Sequence, residues 1–444
     1  MEIFVADRST SRCCRMARVL IVTLTSVCGS TVVPASDNPS NTRAASEVFI
    51  SDQAAALGMS PERLARIQPS YEAGVRDGEI PGAVVLIARN DAVVYSASVG
   101  FRDLAAQVPM TRDTRFYLAS MTKPIVSVAA MMLVEDGVLQ LPLPVSHYLP
   151  ELKHLKVGRE IVDAKTGRRT LQLEPPRREP TVHDLLRHTS GFTYGPFGDS
   201  PVQRAYQAAN LVDFGQSNAE LVTKLASLPL AYQPGETFEY SMSTDVLGRV
   251  IEVVSGMPLD KFIEQRITAP LGMLDTSFGA TDPQRLARAR TLHAALPTGT
   301  PRWASGGGGL IGTAEDYLKF ATLLLNGGEL NGKRLLSRKT VELMTSNHLP
   351  PDVTFGPYDL GVMAPSPEQG QGFGLGFAVR LDAGRSPLPG SVGDYSWAGA
   401  SGTYFWIDPR ERLIAIVMTA APEVRAAYRY RARTLVYQSI ERSR

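Results

Sequence analysis

Apolar residues fall in short continuous runs near the two ends of the chain and at helical spacing between them. Ala83-Val84-Val85-Leu86-Ile87 and Val93-Val94-Tyr95 flank Asn90-Asp91, a pattern that predicts a β-hairpin over about 81–100. Tyr404-Phe405-Trp406-Ile407 and Leu413-Ile414-Ala415-Ile416-Val417 flank Asp408-Pro409-Arg410-Glu411 and predict a second hairpin. Ser60-Pro61 opens a helix, with Ser as N-cap and Pro at the first helical position, and Leu64, Ile67 and Tyr71 continue it. A helix over 120–136 carries Ile125, Val128, Met132 and Val134 and ends at Gly137. Thr181-Val182-His183-Asp184 and Thr313-Ala314-Glu315-Asp316 each open another, the second with an acid three residues after the capping Thr. Residues 165–179 are polar with two prolines and read as an exposed excursion. A helix over about 423–442 closes the chain.

Strands near both ends with helices between them predict an α/β (α+β) architecture, a sheet built from both termini and flanked by helices, plus an inserted helical lobe. The α/β lobe is expected over about 56–115 and 370–444 and the helical lobe over about 120–365. The natural position for a pocket is between them.

The first 35 residues follow another pattern. Arg8, Arg12, Arg15 and Arg18 precede Val19-Leu20-Ile21-Val22-Thr23-Leu24, and Val33-Pro34-Ala35 offers small residues for cleavage. This is the layout of a secretory signal over 1–35, with Met16 an alternative start and 36–55 a flexible segment before the domain at 56–444. The expected location is periplasmic or secreted. The apolar run is too short for a permanent membrane span. Lipid attachment at Cys28 is disfavoured, because Val27 precedes it where a small residue is wanted.

Composition narrows the chemistry. All three cysteines (Cys13, Cys14, Cys28) lie in the leader, so the mature chain has no disulfide, thiolate metal site or Cys nucleophile. Without the leader 42 basic and 42 acidic residues remain, and no basic block points to nucleic acid. His183 and His188 are five apart with no H-E-x-x-H, which predicts packing or hydrogen-bonding roles and no metal. No G-x-S-x-G elbow is present. Gly306–309 lacks the lysine and spacing of a phosphate loop and reads as a tight backbone segment entering the helix at Thr313; 370–376 precedes strands and is no dinucleotide fingerprint. No cofactor is expected.

Ser120-Met121-Thr122-Lys123 is the leading candidate for catalysis. A serine hydroxyl attacks poorly until a neighbour takes its proton. At i and i+3 Ser and Lys share a helix face, and a Ser in the first turn sits where backbone dipoles favour a developing anion. A desolvated Lys can be neutral and act as base. The motif alone is weak, since a chain of this length holds about one by chance. Its flanks, Phe116-Tyr117-Leu118-Ala119 and Pro124-Ile125-Val126-Ser127-Val128, are apolar, which is not the setting of a solvated lysine. Tyr240, in Phe238-Glu239-Tyr240-Ser241-Met242-Ser243, could relay the proton, as tyrosinate or as a neutral phenol bonded to the lysine.

With these residues assembled, the sequence resembles the serine β-lactamase-related hydrolases: class C β-lactamases, D,D-peptidases and, most closely, family VIII carboxylesterases. The resemblance rests on five ordered segments: FYLASMTK at 116–123, PTVHDLLRHTSG at 180–191, YQPGETFEY at 232–240, Leu247-Gly248 with Leu271-Gly272-Met273, and GGGGLIGTAEDYLKFATLLLNGG at 306–328. It implies a β-lactamase/transpeptidase-like fold, with Ser120 the acylated nucleophile, Lys123 its proton partner and Tyr240 the third member. Trp397-Ala398-Gly399 stands where the family usually has Lys or His, then Thr or Ser, then Gly. The oxyanion hole would then be the backbone N–H groups of Ser120 and Ala400.

Two departures bear on substrate. Trp397 cannot replace the cation that holds a β-lactam's carboxylate, and Met242 stands where an Asn amide is usual. Both point to small neutral esters as partners, with Ser243 partly filling the polar role and Trp397, Ala398 and Gly399 lining the site. The expected enzyme is therefore a metal-free carboxylesterase. A β-lactamase or D,D-peptidase, an acyltransferase, and a non-catalytic binding or sensing protein are the alternatives.

Overall fold

Strand β2 (Gly82–Arg89), whose eight residues are all buried, owes its continuous apolar run to two layers that it separates. Val84, Leu86 and Ala88 enter one core, whereas Ala83, Val85 and Ile87 enter the other, as alternation along a strand requires. The computed structural model describes residues 46–279, 301–357 and 365–442. The expected leader with its three cysteines, and the segment up to 45, lie outside the described residues.

Among the described residues the main sheet has nine antiparallel strands. β1 (Glu47–Ile50), β2 and β3 (Ala92–Asp103) come from the N-terminal side. β4 (Gln371–Phe373), β5 (Ala378–Arg380), β6 (Tyr395–Ala398), β7 (Tyr404–Asp408) and β8 (Leu413–Thr419) come from the C-terminal side. Their order is β1-β3-β2-β8-β7-β6-β5-β4, and Val108–Pro109 pairs with β3. The sheet is thus drawn from both ends of the chain, joined at β2 and β8. Both expected hairpins are present. Asn90 and Asp91 take φ of 52° and 64°, the positive values that a two-residue hairpin turn needs. Residues 47–50, inside the stretch expected to be flexible, instead form an edge strand on β3.

Helices α1 (Ile67–Arg76) and α6 (Arg425–Tyr437) cover one face of the sheet through Ile67, Tyr71, Tyr428, Ala432 and Val436. The opposite face meets α5 (Ala314–Leu325). The N-terminal helix is broken at Ala65-Arg66 into Pro61–Leu64, capped by Ser60, and α1. Residues 165–179 are not wholly irregular, because Val157–Val162 and Arg169–Glu174 pair as an exposed hairpin.

The helical region is organised around α2 (Thr122–Glu135), every residue of which is buried from Thr122 to Leu133. A helix apolar all round belongs inside. It packs against α4 (Ser243–Ser255). Helix α3 (Val182–Leu186) begins with a reciprocal capping box between Thr181 and Asp184. Thr313 caps α5, but Asp316 turns away to accept from Asp275 N and Thr276 Oγ1. The architecture is mixed helix and antiparallel sheet, as the resemblance implies. Among the described residues no helix is long and apolar enough to cross a membrane.

Candidate active site

Ser120 is the middle residue of a 3-10 turn, Ala119–Met121, that runs directly into α2. The turn is held on several sides. Leu118 N donates to Leu310 O at 2.9 Å, Leu310 N donates to Thr122 Oγ1 at 3.0 Å, and Tyr317 Oη donates to Met121 O at 3.0 Å. Ala119 takes φ of 47°, a left-handed conformation that costs a residue with a Cβ about 1–3 kcal/mol and persists only where the surroundings enforce it. Ser120 is partly exposed between buried neighbours.

One helical turn on, Lys123 is 1% exposed. Its Nζ donates to Gly307 O at 2.7 Å and reaches Tyr194 Oη at 3.3 Å and Ser120 Oγ at 3.4 Å. It also lies 4.5 Å from the centroid of the Tyr240 ring. Burial pushes the amine down from 10.5 to about 7, against a smaller upward pull from the Asp245 charge. Near neutral pH much of it is therefore uncharged, with a lone pair available.

Tyr240 stands between the short strand Thr237–Phe238 and α4. Its ring packs among His188, Trp397, Tyr194 and Phe197 at 4.9, 5.3, 5.7 and 6.3 Å between centroids. Burial raises the phenol far above its ordinary value, with hydrogen bonding to Ser120 and Trp397 opposing. It keeps its proton, so of tyrosinate and neutral phenol it is the neutral phenol that stands here. Burial likewise keeps His188 neutral. His188 packs on Tyr240, and His183 pairs with His348 at 2.9 Å. Among the described residues no cluster of His, Cys, Asp or Glu is poised for a metal ion.

The third segment is delivered by the sheet. Trp397 and Ala398 end β6, and the turn that follows is bonded to the chain just before Ser120. Ser401 Oγ donates to Tyr117 O at 2.8 Å and Thr403 Oγ1 to Leu118 O at 3.1 Å. A Cβ on Gly399 would lie 2.3 Å from Leu118 O, so only glycine permits this approach. Ser120, Tyr240, Trp397, Ala398, Gly399 and Ala400 consequently line one cleft. Tyr194 and Phe197 complete its aromatic wall, and Arg425 and Arg429 of α6 supply the charged lining among the described residues.

Two expected contacts are absent from that wall. Met242 and Ser243 are 1% and 0% exposed and do not line the cleft. Ser243 is bonded inward to Ser190 Oγ at 2.7 Å and Ser241 Oγ at 2.8 Å, so it offers a substrate nothing. Sequence reasoning missed Tyr194, Asp245, Arg425 and Arg429. Tyr194 follows the 180–191 segment closely, which was the available signal; the arginines lie in a helix whose sequence gives no sign of facing a cleft.

The beta-lactamase family model matches residues 67–438. A protein of Mycobacterium tuberculosis is 39% identical over 356 residues, covering 77% of this chain and 86% of the relative. Esterase EstB of Burkholderia gladioli is 30% identical over 385 residues, covering 80% and 90% respectively. Among solved structures, EstCE1, a hydrolase with promiscuous acyltransferase activity, superposes with a TM-score of 0.68 at 27% identity, over 85% of this chain and 99% of its own. The chain belongs to the beta-lactamase family, as a serine hydrolase relative with esterases among its homologues.

Proposed function

We propose that this protein is a carboxylesterase working through an acyl-Ser120 intermediate. The observation that carries the reading is a partly exposed hydroxyl that lines an aromatic cleft and has behind it a buried amine whose pKa is lowered to about 7. Uncharged Lys123 takes the Ser120 proton as Oγ bonds to the acyl carbon. The resulting oxyanion is held by the Ser120 and Ala400 N–H groups. The neutral Tyr240 phenol, recharged from Lys123, gives a proton to the alcohol oxygen as the C–O bond breaks. Water then attacks the acyl carbon, its proton returns through the same groups, and acid and free Ser120 are released.

Short acyl esters of uncharged alcohols are the proposed substrates, because Trp397, Phe197 and Tyr194 give the cleft an aromatic lining. Ser120→Ala should abolish hydrolysis of p-nitrophenyl acetate and butyrate and remove the adduct formed with a fluorophosphonate; normal turnover by that variant would end the proposal. Arg425 and Arg429 favour a second reading, in which the acyl donor carries a carboxylate, as a β-lactam or a D-amino-acid peptide does. A nitrocefin kcat/KM approaching that for short esters would decide for it. Export by the 1–35 leader is likewise proposed, and N-terminal sequencing of protein recovered from outside the cytoplasm tests it.

A further inference from the structure

The backbone at 306–309 is tight because it lies against another element. A Cβ at Gly306 would lie 2.4 Å from Thr244 O, and one at Gly307 only 2.2 Å from Asp245 Oδ2. The glycines are therefore moulded onto the first turn of α4. An acid in a helix's first turn ordinarily serves that helix's own N–H groups. Asp245, 1% exposed, instead uses Oδ1 outside the helix, accepting from Ser305 Oγ at 2.6 Å and from Gly307 N at 2.9 Å. Gly307 then presents its carbonyl to Lys123 Nζ at 2.7 Å, a closer contact than the amine makes with Ser120 at 3.4 Å.

We infer that Asp245 is the positioning residue of Lys123: its carboxylate fixes Gly307, and the Gly307 carbonyl fixes where the amine stands relative to Ser120. This rests on the acyl-serine reading above. Asp245 does not line the cleft, so it touches no substrate there and acts through the groups packed around it, Lys123 first. Its charge also acts on the amine. The titratable groups facing this arrangement are Lys123 on α2, Tyr117 on the strand before Ser120, Tyr194, Tyr240, and His188 against the amine. Burial raises the Asp245 carboxyl above its ordinary value, with the Lys123 charge and the Ser305 and Gly307 bonds opposing; in its ionised form it favours protonated Lys123 and opposes ionisation of Tyr117 and Tyr240.

Three substitutions in the full chain test the inference on a p-nitrophenyl ester. Asp245→Ala removes both anchors, and kcat should fall roughly 10- to 100-fold with KM nearly unchanged, the scale of loss when a reacting group is slightly misplaced. Asp245→Asn keeps an acceptor for Ser305 and Gly307 but not the charge, and should move the acid limb of the kcat profile to lower pH. Ser305→Ala removes one anchor without touching α4 and should lower kcat less than Asp245→Ala; it decides the matter if Asp245→Ala does not fold. Wild-type kcat in the anchor variants, or an unmoved acid limb in Asp245→Asn, overturns the inference. If the unaltered protein shows no Ser120-dependent turnover, it is the esterase reading that fails. The rate of Ser120 labelling by a fluorophosphonate against pH, compared across the same variants, then tests the positioning role without any ester.

Discussion

The hydroxyl of Thr403 donates to the carbonyl oxygen of Leu118 at 3.1 Å, two residues before Ser120. With the Ser401 bond to Tyr117 O at 2.8 Å, it fastens the end of β6 to the turn that presents the proposed nucleophile. The two backbone N–H groups proposed for the oxyanion hole, those of Ser120 and Ala400, thus sit on elements 280 residues apart in sequence yet joined directly. Thr403→Val keeps the shape and removes the donor. Leu118 O keeps the bond it accepts from Met121 N at 3.0 Å, so the loss of stability should be about 0.5–1.5 kcal/mol. Because a misaligned oxyanion donor is the expected consequence, kcat should fall about 10-fold, short of the 100-fold or more that follows outright loss of such a donor. Thermal unfolding with ester kinetics on the same sample checks both, and an unchanged kcat would detach this bond from catalysis.

The amine of Lys123 predicts the pH profile. Only its uncharged form can take the Ser120 proton, and burial brings it to about 7. Activity on a neutral ester should therefore rise with pH through about 7 to a plateau. Glu239, next to Tyr240, is also raised to about 7, by burial, and could imitate that limb. His188 cannot, being held neutral well below this range. Glu239→Gln should leave the limb where it is; if the limb vanishes, the titrating group is not Lys123.

Glu239 has its own signature in stability. It is 1% exposed and accepts from Thr193 Oγ1 at 2.6 Å. Its folded pKa lies above its unfolded value of about 4.5, so the folded state favours the proton. That contribution is complete below about 4.5 and is lost as pH rises through about 7. Each tenfold difference in proton affinity between the folded and unfolded states is worth about 1.4 kcal/mol, which limits the whole effect to about 3 kcal/mol. Glu239→Gln, which keeps the acceptor for Thr193, should match the unaltered protein at pH 4.5 and exceed it by about 1–3 kcal/mol at pH 8. Denaturant melts at the two pH values measure this, and equal differences at both would refute it.

What the sequence disclosed, and what it hid, follows from the range of the signals. The hairpins at β2–β3 and β7–β8 were legible because alternation and turn chemistry are local. The cap at Thr181 was legible for the same reason. Ser120 and Lys123 are one helical turn apart, so their proximity could be read directly; the Tyr240 phenol was a candidate on its chemistry, but only the family's ordered segments tied it to the other two. The strand at 47–50 escaped notice because its pairing with β3 depends on tertiary contact more than on any pattern of its own. Asp245 and Gly307, 62 residues apart, could not be linked by spacing. Ser243 was misjudged because polarity says nothing about direction: it bonds inward to Ser190.

Helix α6 is bound to the sheet by a buried ionic cluster that the fold requires to be complete. Asp394, 2% exposed, accepts from Arg380 Nε at 2.7 Å and from Arg433 Nη1 and Nη2 at 2.8 and 3.1 Å. Both guanidiniums are themselves 1% exposed, so a neutral residue at 394 would strand two cations away from water. Breaking a buried pair costs about 3–5 kcal/mol, and Asp394→Asn should lose at least that in denaturant unfolding. The loss would also reach the cleft, because α6 carries Arg429, whose guanidinium donates to Gly399 O beside Ala400. Replacing the whole cluster is a different matter. With Arg380→Met, Asp394→Leu and Arg433→Met together, no unpaired charge remains, and most of the lost stability should return, since apolar replacement of a complete buried ion cluster is often neutral or favourable. A triple variant no more stable than Asp394→Asn would mean that the cluster's hydrogen bonds to Tyr404 Oη, Leu388 O and Pro389 O, and not its charge balance, hold α6 in place.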